Sequence, residues 1–191
     1  FLLNDLLRNR IDRSNGWIPF DLFFNSVMYE PGLGYYSSGS YKIGEGGDYT
    51  TAPEISKYFS KSIANQTMRL LDMHDSPSVI EIGAGKGTFA FEYLKALKET
   101  KTEIEHYYIL EISADLRDRQ MQLISSLPED LRNKVTWLES LDIEPIDGIV
   151  LANEVIDALP FKRFCIENKQ VYELGITYSD GVFKAVSYTH L

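Results

Sequence analysis

The 191-residue chain is poor in the side chains that metal sites, disulfides and nucleophilic triads need. A single cysteine, Cys165, excludes an internal disulfide and a two-cysteine zinc knuckle, and it is compatible with a reducing compartment. The three histidines, His74, His106 and His190, lie far apart in the sequence. This spacing disfavours a histidine-based zinc site and a Ser-His-Asp triad. We therefore expect no metal centre.

Positive charge is also scarce, with 19 Lys and Arg against 28 Asp and Glu and a formal net charge of −9. No basic stripe offsets this balance locally, which argues against nucleic acid or an anionic membrane as the partner. No apolar run reaches the length of a membrane span, and no secretion signal is visible. Since 44% of the residues are hydrophobic, the chain can bury a core. We expect a soluble globular protein that works with carboxylates, amides, backbone N–H groups and a cofactor.

Both ends of the sequence indicate a fragment. The chain begins with Phe1 rather than methionine, and residues 186–191 follow a strand-like stretch without a closing turn or helix. We therefore expect a protein that is truncated at its C terminus and in which residues 186–191 need not be native.

Residues 1–76 are predicted to form a helical and loop segment. Apolar residues at helical spacing predict a short amphipathic helix over 19–30. Pro31–Ala52 follows, and a loop of this length that is rich in Gly and Tyr is expected to be ordered and functional. Thr51 and Glu54 have the spacing of a capping box, which predicts the start of a further helix.

Residues 77–191 are predicted to form an α/β core with a hairpin extension. Strands and helices alternate, which is typical of a mostly parallel sheet with crossover helices. Weak alternation after residue 162 predicts antiparallel hairpins. We expect both segments to form one structural unit. The predicted core elements are strand 79–82, helix 88–98, strand 106–110, helix 114–126, strand 135–138 and strand 148–152.

A glycine-rich turn joins the first predicted strand of this core to its first helix. The turn reads Glu81-Ile-Gly83-Ala-Gly85-Lys-Gly87. In an open α/β sheet, ligands bind at this edge because strand ends and a helix N-terminus converge there. Glycine permits positive φ angles and a close approach of the ligand to the backbone. We therefore expect Gly83, Gly85 and Gly87 to bind a ligand.

Three classes of ligand compete for this turn. The P-loop pattern fails, because Lys86 is followed by glycine and Ile80 stands where the first glycine is needed. The dinucleotide fingerprint needs G-x-G-x-x-G, whereas the chain has G-x-G-x-G. A ligand with an amino-acid end and no phosphate fits better, since the Glu81 carboxylate can hold an ammonium group. S-adenosylmethionine (SAM) has this form.

A second acid favours the same cofactor. Glu111 ends the next predicted strand, where Rossmann-like folds place a carboxylate that accepts hydrogen bonds from ribose hydroxyls. Glu81 or Glu111 alone would be interpreted as a solvated strand end. Both acids together with the glycine spacing predict a cofactor site.

Polar residues also follow the predicted strand 148–152 at the same edge of the sheet. Asn153 and Glu154 come directly after the strand, and Asp157 follows shortly. If the substrate is an arginine side chain, its protonated guanidinium presents a rigid fork of donors that Glu154 and Asp157 can clamp. The structural alternative is that Asn153 caps a helix and Asp157 lies on the surface.

Five sequence blocks, in this order, resemble the SAM-dependent methyltransferases of the MidA type. This family includes mitochondrial complex I assembly factors that methylate arginine on a complex I subunit, and bacterial members without an assigned substrate. The resemblance extends from about residue 17 to about residue 183. The blocks are Gly32–Ser37, Gly47–Ser56, Glu81–Gly87, Leu110–Gln120 and Leu151–Pro160.

The resemblance implies a Rossmann-like SAM-dependent methyltransferase fold in which the segment from Gly47 to Glu54 covers the cofactor cleft. The predicted catalytic residues are Glu154 and Asp157. With the residues considered above, the predicted cofactor-binding set is Glu81, Gly83, Gly85, Gly87, Glu111, Asn153, Asp48, Thr51 and Pro53.

The predicted activity is methyl transfer from SAM to a protein arginine, on a respiratory complex I-type subunit or another protein. The alternatives are a small-molecule or non-arginine methyltransferase and a non-catalytic SAM-binding assembly factor. We expect a protein substrate as the partner, no nucleic acid and no membrane span. The expected location is the bacterial cytoplasm, or the mitochondrial matrix if a presequence is missing. A truncated chain is expected to leave one sheet edge open, and the sequence leaves undecided whether such a fragment is stable and active alone.

Overall fold

A computed structural model describes residues 2–37 and 50–190 of the chain. The predicted cofactor residue Asp48 lies outside the described residues. The described part divides into two compact units: residues 50–156, the core unit, and residues 2–37 with 157–190, the hairpin unit. Among the described helices, none is long and apolar enough to cross a membrane.

The helices and strands are labelled in chain order. They are α1 (Leu2–Arg13), β1 (Ile18–Pro19), α2 (Phe20–Tyr29), α3 (Ala52–Ile55), α4 (Lys57–Leu71), β2 (Ser78–Ile82), α5 (Thr88–Thr100), β3 (Tyr107–Leu110), α6 (Ala114–Ile124), α7 (Glu129–Arg132), β4 (Val135–Leu138), β5 (Gly148–Ala152), the 3₁₀ helix Ile156–Ala158, β6 (Arg163–Glu167), β7 (Gln170–Ser179) and β8 (Val182–His190).

The core unit contains a four-stranded sheet in the order β4-β3-β2-β5, and all of its strand pairs are parallel. Parallel neighbours need crossover connections, which α5 provides between β2 and β3, and α6 with α7 between β3 and β4. The β-branched run Val79–Ile82 forms most of β2, in the interior of the sheet. The predicted α/β fold with a parallel sheet and crossover helices is confirmed.

The hydrophobic core of the core unit includes the apolar face of α5, which is buried against the sheet and α4. Tyr93, Leu94 and Leu97 of α5 are fully buried or nearly so, as is Tyr107 of β3. The Tyr93 hydroxyl and the Thr67 Oγ1 atom share a hydrogen bond of 2.6 Å, which joins α5 to α4. Burial of an aromatic or aliphatic side chain contributes about 1.5–3 kcal/mol, so this layer is a stable support for the end of β2.

The hairpin unit is an antiparallel sheet in which β7 pairs with β6, β8 and β1. The predicted antiparallel hairpins are therefore present. Gly175 of β7 lies opposite Pro19 of β1. A Cβ atom at Gly175 would lie 2.4 Å from Cε3 of Trp17 and 2.5 Å from the Ile18 oxygen, so only glycine fits there.

The division into two units groups residues 2–37 with residues 157–190, while the domain boundary between residues 76 and 77 stays a prediction. β1 pairs with β7, and Leu7 and Ile11 of α1 share a core with Ile176 of β7. Residues 2–37 therefore belong with the C-terminal hairpins. Residues 52–71 pack instead on α5. Local periodicity could not reveal these partners because they are far apart in the sequence.

Candidate functional site

A cleft in the core unit lies at the carboxyl ends of β2 and β5, beside the N-terminus of α5. These two strands end side by side, with Ile82 opposite Ala152. The cleft has about 470 Å³ of free space, solvent at its mouth included. Most of the predicted site residues are found here. The lining consists of Thr51, Pro53, Glu54, Glu81, Gly83, Ala84, Gly85, Lys86, Phe89, Asn153 and Glu154.

The glycine turn between β2 and α5 has the predicted backbone geometry. Gly83, Gly85 and Gly87 have φ angles of +67°, +55° and +86°. L-residues rarely adopt these values. A Cβ atom at Gly83 would also lie 2.9 Å from Cγ2 of Val155, and one at Gly87 would lie 3.2 Å from Cγ of Gln120. The glycines are thus required by the turn and its packing, and Gly83 and Gly85 line the cleft.

Glu81 ends the buried part of β2 and lines the cleft, although only 5% of its surface is exposed. Its Oε2 atom accepts a hydrogen bond of 2.7 Å from the Tyr107 hydroxyl. Burial raises the pKa of Glu81 to about 7; the Tyr107 bond lowers this pKa, and the nearby charge of Glu111 raises it. A buried carboxylate with a raised pKa is stabilised by a cation. The geometry therefore suits a positively charged ligand group.

Glu111 follows β3 and is buried, but it is not among the residues that line the cleft. Its Oε1 atom accepts a hydrogen bond of 2.9 Å from the Ser113 backbone N–H, and its Oε2 atom accepts one of 3.1 Å from Nε2 of Gln120. Burial raises the pKa of Glu111, and the bonds from Ser113 and Gln120 oppose this shift. The same Nε2 atom donates to the Gly85 carbonyl at 2.8 Å. The Gln120 side chain therefore binds both Glu111 and the glycine turn.

Glu54 connects the short helix α3 to the glycine turn. Its Oε1 atom accepts a hydrogen bond of 2.5 Å from the Thr88 hydroxyl, and its Oε2 atom lies 3.6 Å from Nζ of Lys86. The predicted capping box is not formed, since the Thr51 side chain makes no capping hydrogen bond to α3. Because Glu54 is directed toward α5, it cannot close the box on Thr51. Thr51 and Pro53 line the cleft, and their role in cofactor binding stays a prediction.

Asn153 and Glu154 both line the cleft, directly after β5. Glu154 is exposed and has a φ angle of +53°, in the left-handed region that glutamate rarely adopts. Backbone strain of this kind is concentrated at functional sites. Helix capping does not account for Asn153, since the next helical residues are those of the 3₁₀ helix Ile156–Ala158.

Asp157 is placed differently from Glu154. It lies in the 3₁₀ helix Ile156–Ala158, is exposed, and belongs to the hairpin unit. The geometry of the core unit therefore brings Glu154 to the cleft without Asp157, whose catalytic role stays a prediction.

Several residues at or near the cleft are not identifiable from the sequence alone. Lys86 lines the cleft, Tyr107 bonds Glu81, and Gln120 bonds both Gly85 and Glu111. Their partners lie on other elements, so no local spacing indicates them. Ile112, directly after Glu111, is a large apolar side chain that is 71% exposed.

A parallel sheet with a glycine turn and acids at neighbouring strand ends defines a nucleotide-cofactor fold of the Rossmann-like type. The model of the S-adenosyl-L-methionine-dependent methyltransferase family Methyltransf_28 matches residues 62–189. The chain belongs to this family. The predicted family and its cofactor, SAM, are thereby confirmed.

The relatives of the chain agree with this assignment. A COG1565 superfamily protein from Burkholderia thailandensis, solved with S-adenosylhomocysteine (SAH) bound, is 35% identical with a TM-score of 0.88, and the match covers 98% of this chain and 49% of that protein. The mitochondrial protein arginine methyltransferase NDUFAF7 homolog of Drosophila melanogaster is 30% identical over 90% of this chain and 44% of its own length. The mouse NDUFAF7 is 26% identical over 80% and 40%. The chain thus spans about half the length of these relatives.

Proposed function

We propose that the protein transfers a methyl group from SAM to an arginine side chain of a protein substrate. The observation that carries the proposal is the arrangement of carboxylates at the ends of neighbouring parallel strands. Glu81 is the last buried residue of β2, Glu111 follows β3, and Glu154 comes shortly after β5. The glycine turn follows β2 directly. Two of these acids are buried and suit the cofactor, and the third is exposed and suits a substrate.

The cofactor residues are assigned from the charges and the space that the core unit offers. Glu81 is a buried carboxylate beside the cleft, and the SAM ammonium group is a cation of the kind it needs. The turn from Gly83 to Gly87 has no Cβ atoms at its glycines, which leaves backbone groups accessible. The residues present therefore fit SAM, which when bound supplies a methyl group already activated by the sulfonium charge.

The ribose and adenine contacts are proposed for the residues after β3. The Glu111 carboxylate accepts hydrogen bonds from Ser113 N and Gln120 Nε2, and the Ile112 backbone N–H also stabilises its charged form. A carboxylate has about four acceptor positions, so Glu111 can still accept a hydrogen bond from the ribose. Ile112 is proposed as an apolar contact for the adenine ring, because it is exposed directly beside Glu111.

On the acceptor side, Glu154 is proposed to orient the guanidinium nitrogen. A guanidinium stays protonated in proteins and donates in a fixed fork, which a carboxylate accepts well. Methyl transfer is an in-line displacement in which the N–C bond forms as the sulfonium C–S bond breaks, and the guanidinium nitrogen loses one proton, for which the Glu154 carboxylate is the proposed acceptor. Alignment of the nucleophile supplies most of the catalysis. Asp157 is proposed as a second carboxylate for the same substrate. The net charge of −9 suits a basic protein substrate.

The finer assignments follow the named relatives. Arginine as the acceptor, a respiratory complex I-type subunit as the substrate and a role in complex I assembly are proposed from the resemblance and from the NDUFAF7 names. The bacterial cytoplasm is proposed as the location, because the 35% identical structural relative comes from Burkholderia thailandensis. The mitochondrial matrix is the alternative.

Mass spectrometry tests the proposal. The purified protein is incubated with SAM and a panel of basic proteins, and peptides are examined for methylated arginine. We expect methylarginine with the wild-type protein, a loss of at least tenfold in Glu154→Gln, and wild-type yield in Glu129→Gln, which changes an exposed acid of α7. Methylation on lysine or on a small molecule would overturn the arginine assignment. SAH binding without any methyl transfer, with partner binding that is unchanged in Glu154→Gln, would favour an assembly factor.

A further inference from the structure

Gln120 lies on α6 and is fully buried, with 0% of its surface exposed. Its amide makes three hydrogen bonds to three different elements. Nε2 donates to the Gly85 carbonyl at 2.8 Å and to Oε2 of Glu111 at 3.1 Å, while Oε1 accepts from Nε1 of Trp137 at 2.9 Å. One side chain therefore connects the glycine turn, the acid after β3 and strand β4.

The partners determine which way this amide points. The Trp137 indole N–H can only donate, so it must face the amide oxygen. The Gly85 carbonyl and an ionised Glu111 carboxylate can only accept, so both must face the NH₂ group. A reversed amide would lose all three bonds in a buried place, where an unpaired polar group is costly. The donor and acceptor roles of its three partners therefore hold the Gln120 amide in one orientation.

The stem of Gln120 is equally confined. A Cβ atom at Gly87 would lie 3.2 Å from Cγ and 3.3 Å from Cα of Gln120, so α6 packs closely on the turn at this point. Neither the stem nor the amide can move without displacing the turn or Glu111. A glutamate at this position would place a carboxylate against Glu111 and the Gly85 carbonyl, and a methionine would leave both acceptors without this donor.

We propose that Gln120 is a positioning residue of the cofactor site, which holds the Glu111 carboxylate and the Gly85 carbonyl in the arrangement that SAM requires. This inference rests on the proposed role of Glu111 as the acceptor for the ribose hydroxyls. Gln120 takes one position on Oε2 and the Ser113 N–H takes one on Oε1. The Ile112 backbone N–H also stabilises the charged carboxylate, which is then fixed in orientation, and of its about four acceptor positions one remains for the ribose.

Calorimetry with two ligands tests the proposal. SAH and its 2′,3′-dideoxy analogue differ only in the ribose hydroxyls, so the ratio of their affinities measures what the hydroxyls contribute. We expect the wild-type protein to prefer SAH, and this ratio to fall roughly tenfold in Gln120→Met, because a hydrogen bond to a charged group is worth about this factor. Gln122→Met, an exposed position on the same helix, is expected to keep the wild-type ratio.

The outcomes separate a positioning role from a merely structural one. Equal weakening of both ligands in Gln120→Met, or no weakening, would overturn the inference, since the ratio would be unchanged. A wild-type ratio near one would instead contradict the ribose role of Glu111, and so the proposed cofactor placement itself. If Gln120→Met does not fold, Trp137→Phe replaces it: the variant removes the indole N–H that orients the Gln120 amide, so a fall in the ratio is again expected. The indole N–H resonance of Trp137 gives a second measurement: SAH should shift it in the wild type and not in Gln120→Met.

Discussion

The Tyr107 hydroxyl donates a hydrogen bond of 2.7 Å to the Glu81 carboxylate, and both side chains are buried beneath the candidate cofactor cleft. Burial raises the pKa of Glu81 to about 7, although the hydrogen bond from Tyr107 opposes the shift. Burial, together with the charge of Glu81, also raises the pKa of Tyr107, so the tyrosine stays a donor at physiological pH. The core unit therefore contains an acid that changes its charge near neutral pH.

The raised pKa of Glu81 predicts that the free energy of unfolding depends on pH. The pKa of Glu81 rises from 4.5 to about 7 on folding, so the folded chain retains the proton while the unfolded chain releases it. Its contribution to the free energy of unfolding therefore falls as the pH rises from about 4.5 to about 7, by about 3 kcal/mol in total. Urea unfolding at several pH values should show this loss in the wild type. Glu81→Gln should lack this part of the pH dependence, and identical pH profiles would contradict the assignment.

The same titration predicts the pH dependence of cofactor affinity. Only the ionised form of Glu81 attracts the SAM cation, so the affinity for SAM should increase as the pH rises through about 7. Calorimetry between pH 5.5 and 7.5 should show a steeper increase for the wild type than for Glu81→Gln. The comparison of the two proteins removes the titration of the ligand itself. Parallel curves would show that Glu81 does not face the charged end of the cofactor.

The proposed cofactor-binding residues could be predicted from the sequence, because strand ends and glycine turns have recognisable local sequence patterns. Glu81, Gly83 and Gly85 are placed by the strand before them and the helix after them, and the structure brings them to one cleft. The contacts of Gln120 and Tyr107 leave no such pattern, since each joins elements that are separated in the chain. Resemblance to a family identifies the motifs, but it does not show which side chains hold the motif residues in position through hydrogen bonds.

The proposed substrate-binding residues after β5 were harder to predict from the sequence, for a physical reason. Asn153, Glu154 and Asp157 follow one strand, and their spacing alone suggests one polar cluster. The left-handed backbone of Glu154 and the 3₁₀ turn at 156–158 redirect the chain within four residues. The capping-box prediction for Thr51 and Glu54 was wrong for a related reason, because a long-range bond to Thr88 competes with the local one. Contacts between distant parts of the chain determine the conformation of such residues.

Gly83→Ala should destabilise the core unit and abolish SAH binding. The φ angle of +67° costs an L-residue about 1–2 kcal/mol. The new Cβ atom would also lie 2.9 Å from Cγ2 of Val155. Gly181→Ala is the matched control, since its φ is +82° and nothing lies within 4 Å of its Cβ position. Unfolding experiments should show the larger loss for Gly83→Ala, with partial recovery when Val155→Ala is added. Equal losses in the two variants would mean that only backbone strain matters.

Thr88→Val should loosen α3 without disturbing the rest of the core unit. The variant keeps the shape of the side chain but removes the 2.5 Å hydrogen bond to Glu54, while the ion pair of Glu54 with Lys86 at 3.6 Å remains. α3 has four residues, so it depends on such contacts for its stability. We expect faster hydrogen exchange at the amides of Glu54, Ile55 and Ser56, which donate to Thr51 and Ala52, and a few-fold weaker binding of SAH. Thr100→Val is the control, because the Thr100 hydroxyl bonds the carbonyls of its own helix and Thr102. Unchanged exchange at α3 in Thr88→Val would show that the Thr88–Glu54 bond does not hold this segment at the cleft.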